Sequence, residues 1–434
     1  MLASPEAARW DRTAALGRQG LIAGLDIGTT KVTCFIARPE PPREAGGPRL
    51  RVVGIGHQLS RGLSGGQVVN SVDAEDSIRR AVGAAERMAG TLISRVWLTV
   101  STATLQSRTV RAGLVIGERD LVEGDVRRIL QMARSQVMAP DTAILHTVPV
   151  RYAVDGSVGV RDPQGMFAGE LRAEVNIVSI AQTALRNLML CVERCHLEIA
   201  GLVAAPYASA ISALVEDEAE LGALLVEMGG GSTGIAMMAE GRLRHVGVVP
   251  VGGQHVTHDI AHGLSTSREV AERLKTLCGS ALVSPSDDRD MISVPRLGED
   301  DRESAIPVPR SLLTGIIRPR IEETLELVRD HIAKLGPGRA TPASLVLTGG
   351  ACQLTGVKEL AERILGRQVR IGRPGGLSGL AEATGGPGFT AAAGLVAFPL
   401  YAPFEASRGD GIQGTWSRLN PFGRMNKWLR ASVW

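Results

Sequence analysis

The chain has 434 residues, of which 44% are apolar and 21% charged, and its formal net charge is only +3. That length calls for two lobes or several subdomains, each with its own core, and the composition excludes a disordered or fibrous chain. The small net charge gives a nucleic-acid partner no support, and with aromatics at 3% the aliphatic side chains and 52 glycines must supply packing and tight turns.

Residues 1–20 carry Arg9, Arg12 and Arg18 and lack the unbroken apolar stretch of a signal peptide. No window of about 18 uncharged apolar residues exists to span a bilayer, so any membrane contact is expected to be peripheral. A strand over Leu21–Asp26, the turn GTTK and a strand over Val32–Ala37 predict a hairpin, followed by a Pro-rich loop and a third strand over Arg51–Gly56. Val72, Ile78, Val82, Ala85 and Met88 set out one stripe of a helix over Ser71–Gly90, and VWLTVS follows as a strand. Residues 106–180 read as a compact insert with two strand-like runs, a helix over Glu123–Met138, and the strands ILHTVPVRYAV and LRAEVNIVSI.

A helix over Ala181–His196 resumes the first lobe. Its Cys191, Cys195 and His196 read as a packed helix face, and five cysteines without a CxxC pair read as reduced thiols. Near Leu221 the opening pattern repeats: LIAGLDIGTTKVTCFIA and ALLVEMGGGSTGIAMMA each run strand, acidic residue, Gly/Thr turn, strand. Duplicated lobes follow. A helix over Ser267–Cys278, a Pro/Arg/Asp-rich stretch over 284–310, helical spacing from about Ser311 and a third glycine turn, LVLTGGACQL, come next, and 402–415 reads as a linker. After it Asn420 and Pro421 offer an N-cap and first-turn proline. The helix they start would place Phe422, Met425, Leu429 and Val433 within about one quarter of its circumference, Arg424, Lys427 and Arg430 to one side, and Trp428 on the opposite flank. Such a pattern suits an anionic membrane surface; the alternative is docking on the protein itself.

Gly/Thr turns between strands can aim several backbone N–H groups at one anion. Two of them in duplicated lobes can hold the two sides of a triphosphate. Asp26 and Glu227 precede the two turns where carboxylates can hold a Mg²⁺ ion through its waters, and Lys31 adds a positive charge. Strand-end capping and a solvated hairpin lysine are the plainer readings of these residues.

DIGTTK, EMGGGSTGIA, LTGGA and AERLK resemble the two phosphate motifs, the adenosine motif and the purine-contact helix of the actin, sugar-kinase and heat-shock-chaperone ATPase superfamily. GLDIGTTKV, SRGLSGGQVVN, LHTVPVRYAVDG, VPVGGQHVTHDIA and QVRIGRP resemble, within it, the FtsA family of bacterial division proteins. This resemblance, from about residue 20 onward, implies an α/β actin-like (ribonuclease H-like) fold of duplicated lobes with a 1C insert and a C-terminal amphipathic helix. The implied division, after an extension over 1–20, is 1A over 21–105 and 181–215, and 1C over 106–180. Subdomain 2A takes 216–251 and 325–401, 2B 252–324, the linker 402–415 and the membrane helix 416–434.

It also implies ATP and Mg²⁺, with phosphates at Gly28, Thr29, Thr30 and Lys31 and at Gly229, Gly230, Gly231, Ser232 and Thr233. Adenosine would lie against Gly349, Gly350 and Ala351, with Glu272 and Lys275 near the ribose or purine. Glu227 departs from the family's Asp and is one methylene longer, so slow or negligible turnover is expected. The implied partners are the FtsZ C-terminal tail at 2B, with Arg310 as its contact, further copies of the chain in a filament, the cytoplasmic face of the inner membrane at the septum, and later division proteins through 1C. In 2B, Arg296, Arg302, Arg310, Arg318 and Arg320 cluster, with solvated helix faces as the plainer reading. A small-molecule kinase, a pilus-assembly actin homologue and a chaperone-like ATPase remain alternatives at this point.

Overall fold

The computed structural model describes residues 20–40, 49–295, 297–298, 305–335, 342 and 344–402. The expected membrane helix, with Phe422, Arg424, Met425, Lys427, Trp428, Leu429 and Arg430, lies outside the described residues, as do Arg296 and Arg302.

The first lobe is built on β1 (Ile22–Ile27), β2 (Lys31–Glu40) and β3 (Arg49–Leu59), an antiparallel meander. The short pair β4 (Leu63–Ser64) and β5 (Gln67–Val68) leads to α1 (Ser71–Ala89), and β6 (Arg95–Val100) returns parallel to β1. The Asn70 side chain caps α1 by accepting from the Val72 and Asp73 amides, and Gly90, at φ 67°, ends it in the left-handed region. The buried stripe is Ala74, Ile78, Ala81, Val82 and Ala85, whereas Val72 and Met88, expected on it, are 71% and 56% exposed. They fall in the terminal turns, where the helix overruns the sheet.

The insert comprises β7 (Gln106–Asp120), α2 (Glu123–Ser135), β8 (Thr142–Val154), β9 (Ser157–Val160) and β10 (Phe167–Ala181), with sheet order β7-β10-β8-β9 and its own core under α2. Then α3 (Gln182–Arg194) leads to β11 (Glu198–Ala204), which joins the first sheet beside β6. Cys191 is buried on α3, Cys195 lies 3.6 Å from the Glu75 carbonyl, and no cluster of three or more metal-ligating side chains forms among the described residues.

α4 (Ala205–Ala213) and α5 (Glu216–Leu221) lead into the second lobe, whose β12 (Ala223–Met228), β13 (Thr233–Ala239) and β14 (Arg242–Val249) repeat the meander. Next come α6 (Gly253–Gly263), α7 (Arg268–Cys278), the antiparallel pair β15 (Met291–Val294) and β16 (Ile306–Pro309), and α8 (Arg310–Ala333). The last elements are β17 (Ser344–Thr348), α9 (Val357–Leu365), β18 (Val369–Ile371), β19 (Leu377–Ser378) and α10 (Thr390–Tyr401).

The sheet orders β11-β6-β1-β2-β3-β19 and β14-β13-β12-β17-β18 contain the same five-strand plan twice. Between the sheets lie α4 and α10, whose apolar residues form one core cluster with residues of both sheets and of the insert. They approach so closely that a Cβ on Gly394 would sit 1.6 Å from the Ala208 carbonyl oxygen. This shared core brings the open ends of β1 and β12 face to face.

Candidate functional site

The two turns are superimposable in register. Ile27 pairs with Val32 and Met228 with Thr233, and in each turn the first glycine donates to the carbonyl three residues on, Gly28 to Lys31 at 3.0 Å and Gly229 to Ser232 at 2.9 Å. The acidic residue occupies the penultimate strand position in both, Asp26 opposite Thr33 and Glu227 opposite Gly234.

Across the cleft the turns touch. A Cβ on Gly230 would lie 2.3 Å from Thr30 Cγ2, and one on Gly231 would lie 2.4 Å from Thr29 Oγ1. Behind them the Gly253 amide donates to the Gly229 carbonyl at 2.9 Å and Gln254 to Gly230 at 2.7 Å, so the start of α6 braces the second turn. The cleft encloses about 500 Å³, and its lining includes every residue expected at phosphate or adenosine except Thr233. Thr233 is the register counterpart of Val32; it is buried and donates its hydroxyl to the Val251 carbonyl at 2.8 Å. Ser232, the counterpart of Lys31, faces the cleft instead.

Three groups at the cleft floor are electrostatically linked. Burial raises the Asp26 carboxyl above its ordinary value, opposed by the Thr99 hydroxyl, which donates to it at 2.6 Å, and by Lys31. Burial, and then the Asp26 charge, push Glu227 up to about 8, with Ser209 and Lys31 opposing. Burial lowers the Lys31 ammonium, against the pull of both carboxylates. Lys31 donates to the Gly388 carbonyl and sits over the Phe389 ring, 3.4 Å from its centroid.

At the other end, Lys275 and Glu272 form an ion pair at 2.6 Å on one face of α7; Lys275 also donates to the Gly253 carbonyl at 3.1 Å, and both meet the Thr257 hydroxyl. Gly349 takes φ 88°, and a Cβ there would lie 2.4 Å from the Met228 carbonyl oxygen, so only glycine lets β17 end beside the second turn. Sequence reasoning missed Thr99, Ser101, Ser209, Gly388 and Phe389. Their contribution comes through pairing with residues far away in the chain, and no local motif signals it.

The surface around Arg310 is separate. The first residue of α8, Arg310 donates to the Cys278 carbonyl at 2.9 Å and lies 3.9 Å from Asp287. Of its described neighbours in the expected basic cluster, Arg318 pairs with Glu322 at 2.7 Å and Arg320 with Asp259 at 2.6 Å, so these are neutralised helix-face charges.

Two family models match the chain, "Cell division protein FtsA" over residues 224–394 and "SHS2 domain inserted in FTSA" over residues 102–179. The cell division protein FtsA of Rhizobium meliloti (strain 1021) is 46% identical over 421 residues, covering 96% of this chain and 95% of its own. The chain belongs to the FtsA family of cell division proteins. The FtsA membership holds across distance, since the cell division protein FtsA of Pseudomonas aeruginosa is 37% identical over 95% of this chain and 98% of its own. Solved structures share the fold. The PilM-PilN type IV pilus biogenesis complex gives a TM-score of 0.61 at 15% identity, over 87% of this chain and 98% of that one. MreB 5 of Spiroplasma citri bound to AMPPNP gives 0.52 at 12% identity, over 91% and 100%. The fold is thus actin-like with an FtsA-type SHS2 insert, and the kinase, pilus and chaperone alternatives give way to FtsA.

Proposed function

We propose that this FtsA-family protein binds ATP with Mg²⁺ in the cleft between its lobes and assembles on the cytoplasmic membrane, where it holds FtsZ filaments at the division site and recruits later division proteins. The observation that carries the nucleotide reading is the register-matched pair of turns, 28–31 and 229–232, touching across a cleft of about 500 Å³. Turns of this kind present converging N–H groups to phosphate. Asp26 and Glu227 are hard oxygen donors suited to Mg²⁺, which would complete its shell with phosphate oxygens and water and neutralise charge there. Glu272, Lys275 and the turn at Gly349, Gly350 and Ala351 would take the ribose and base.

Turnover in this reading is slow. Glu227 is one methylene longer than the Asp that the family resemblance implies there, which displaces the carboxylate that would order an attacking water, and Ala205, at the start of α4, brings only a methyl group to the cleft wall. Proton abstraction from an attacking water therefore has weak support. The subdomain division expected above belongs to this reading, with α8 running unbroken across the 2A–2B boundary, Arg310 meeting the FtsZ tail and the insert meeting later division proteins. The segment 416–434 would supply the membrane anchor, each copy weakly and a filament by avidity.

Flotation of the full chain and of a chain truncated after Thr415, with vesicles of mixed neutral and anionic lipid, tests the anchoring part. The full chain should float and the truncated one sediment. Sedimentation of both removes the anchor.

A further inference from the structure

Resting on the nucleotide reading, we infer that Phe389, together with the Gly388 carbonyl, is a positioning residue for Lys31, forming a cage that holds its ammonium at the phosphate end of the cleft. The ammonium is 3.4 Å from the Phe389 ring centroid and donates to the Gly388 carbonyl. With one N–H given to that carbonyl, the remaining donors are available to an incoming phosphate.

The ring is itself fixed. It stacks on Phe35 at 6.2 Å with 9° between planes, and His57 meets it edge-on at 5.7 Å. The preceding peptide is fixed as well, because the Pro387 carbonyl accepts from the Gly349 amide at 3.1 Å, the Thr348 hydroxyl at 3.1 Å and the Thr390 hydroxyl at 3.0 Å. Segment 387–389 is thereby tied to the third glycine turn at one end and grips the first turn at the other. Its conformation links the adenosine side of the cleft to the phosphate side.

The physical gain is preorganisation. A free lysine gives up close to the largest side-chain entropy of any residue when a ligand fixes it, and a cage that has already fixed it removes that cost from binding. Attraction between a cation and a ring face strengthens where water is excluded, and this ammonium is partly buried. Gly388 matters for the same reason: a Cβ there would stand 3.2 Å from the Lys31 nitrogen and crowd it.

The test is a double-mutant cycle on the full chain, reading equilibrium ATP affinity in Mg²⁺ buffer, with denaturation midpoints confirming that each variant is folded. Phe389→Leu should weaken ATP binding about fivefold, as expected for loss of a cation–ring contact that is only partly shielded from water, Gly388→Ala should weaken it in the same direction, and Phe389→Tyr, which keeps the ring face, should restore near-normal affinity. In a Lys31→Ala background Phe389→Leu should have no further effect. Unchanged affinity in Phe389→Leu, or an equal loss with Lys31 absent, would overturn the cage. Absence of ATP binding by the unaltered chain would overturn the nucleotide reading itself and the cage with it.

Discussion

Replacing Gly252 with alanine puts the sharpest load on the site. A Cβ at this position would lie 2.6 Å from the Gly229 carbonyl oxygen, 2.8 Å from that of Gly230 and 2.8 Å from the Ser232 amide nitrogen. All three are backbone atoms of the second turn, so no side-chain rotation relieves the contact. The backbone of Gly252 is extended, at φ −158°, and alanine adopts it without strain, which isolates the steric effect. Overpacking of this kind costs about 1–3 kcal/mol, and the relief available is to push the turn away from the start of α6 and against the first turn, which it already touches. A comparison comes from Gly315 in the interior of α8, where a Cβ would meet nothing within 4 Å. Gly315→Ala should therefore stabilise by up to about 1 kcal/mol through helix propensity. Urea denaturation should show opposite shifts for the two glycine-to-alanine changes, and ATP affinity should fall at least tenfold in Gly252→Ala alone, since about 1.4 kcal/mol at the turn is a factor of ten. Wild-type stability and wild-type ATP affinity in Gly252→Ala would refute the argument.

Three further outcomes follow from the charges. Glu227 holds its proton in the fold to about pH 8 against an ordinary value of 4.5, so between those values the folded chain binds more protons than the unfolded one and stability should fall as pH rises; Glu227→Gln should flatten that fall in denaturation curves taken from pH 5 to 9. The same deprotonation should strengthen the Mg²⁺-dependent part of ATP affinity as pH passes through about 8, and a titration flat in the native chain would contradict it. Arg310→Glu should weaken binding of an FtsZ C-terminal tail peptide in fluorescence anisotropy while leaving ATP affinity unchanged, and unaltered tail binding would remove Arg310 from the contact.

The strongest sequence features were those where local chemistry and tertiary need coincide. The hairpins at 26–32 and 227–233 could be read because strand, acidic residue and glycine turn are contiguous, and the duplicated sheet order bears out the repeat. Thr233 shows where contiguity misleads: it continues the GGGST string, yet strand register turns its side chain away from the cleft. The β15–β16 pair was hidden because Pro307 and Pro309 obscure the alternation that marks a strand, and a two-stranded ribbon tolerates proline where an inner strand would not. Pro319 likewise sits within α8 without ending it. Phe389 could not be linked to Lys31 from sequence, since they meet only when α10 folds back under the first sheet. The arginine cluster looked like one basic surface, but Arg318 and Arg320 already have carboxylate partners.

A crystal structure of the full chain with a non-hydrolysable ATP analogue and Mg²⁺ tests the central claim most directly. The account predicts phosphates between residues 28–31 and 229–232, the ion beside Asp26 and Glu227, and the base between Gly350 and Lys275. An empty cleft at saturating nucleotide, or the analogue bound anywhere else, would contradict it.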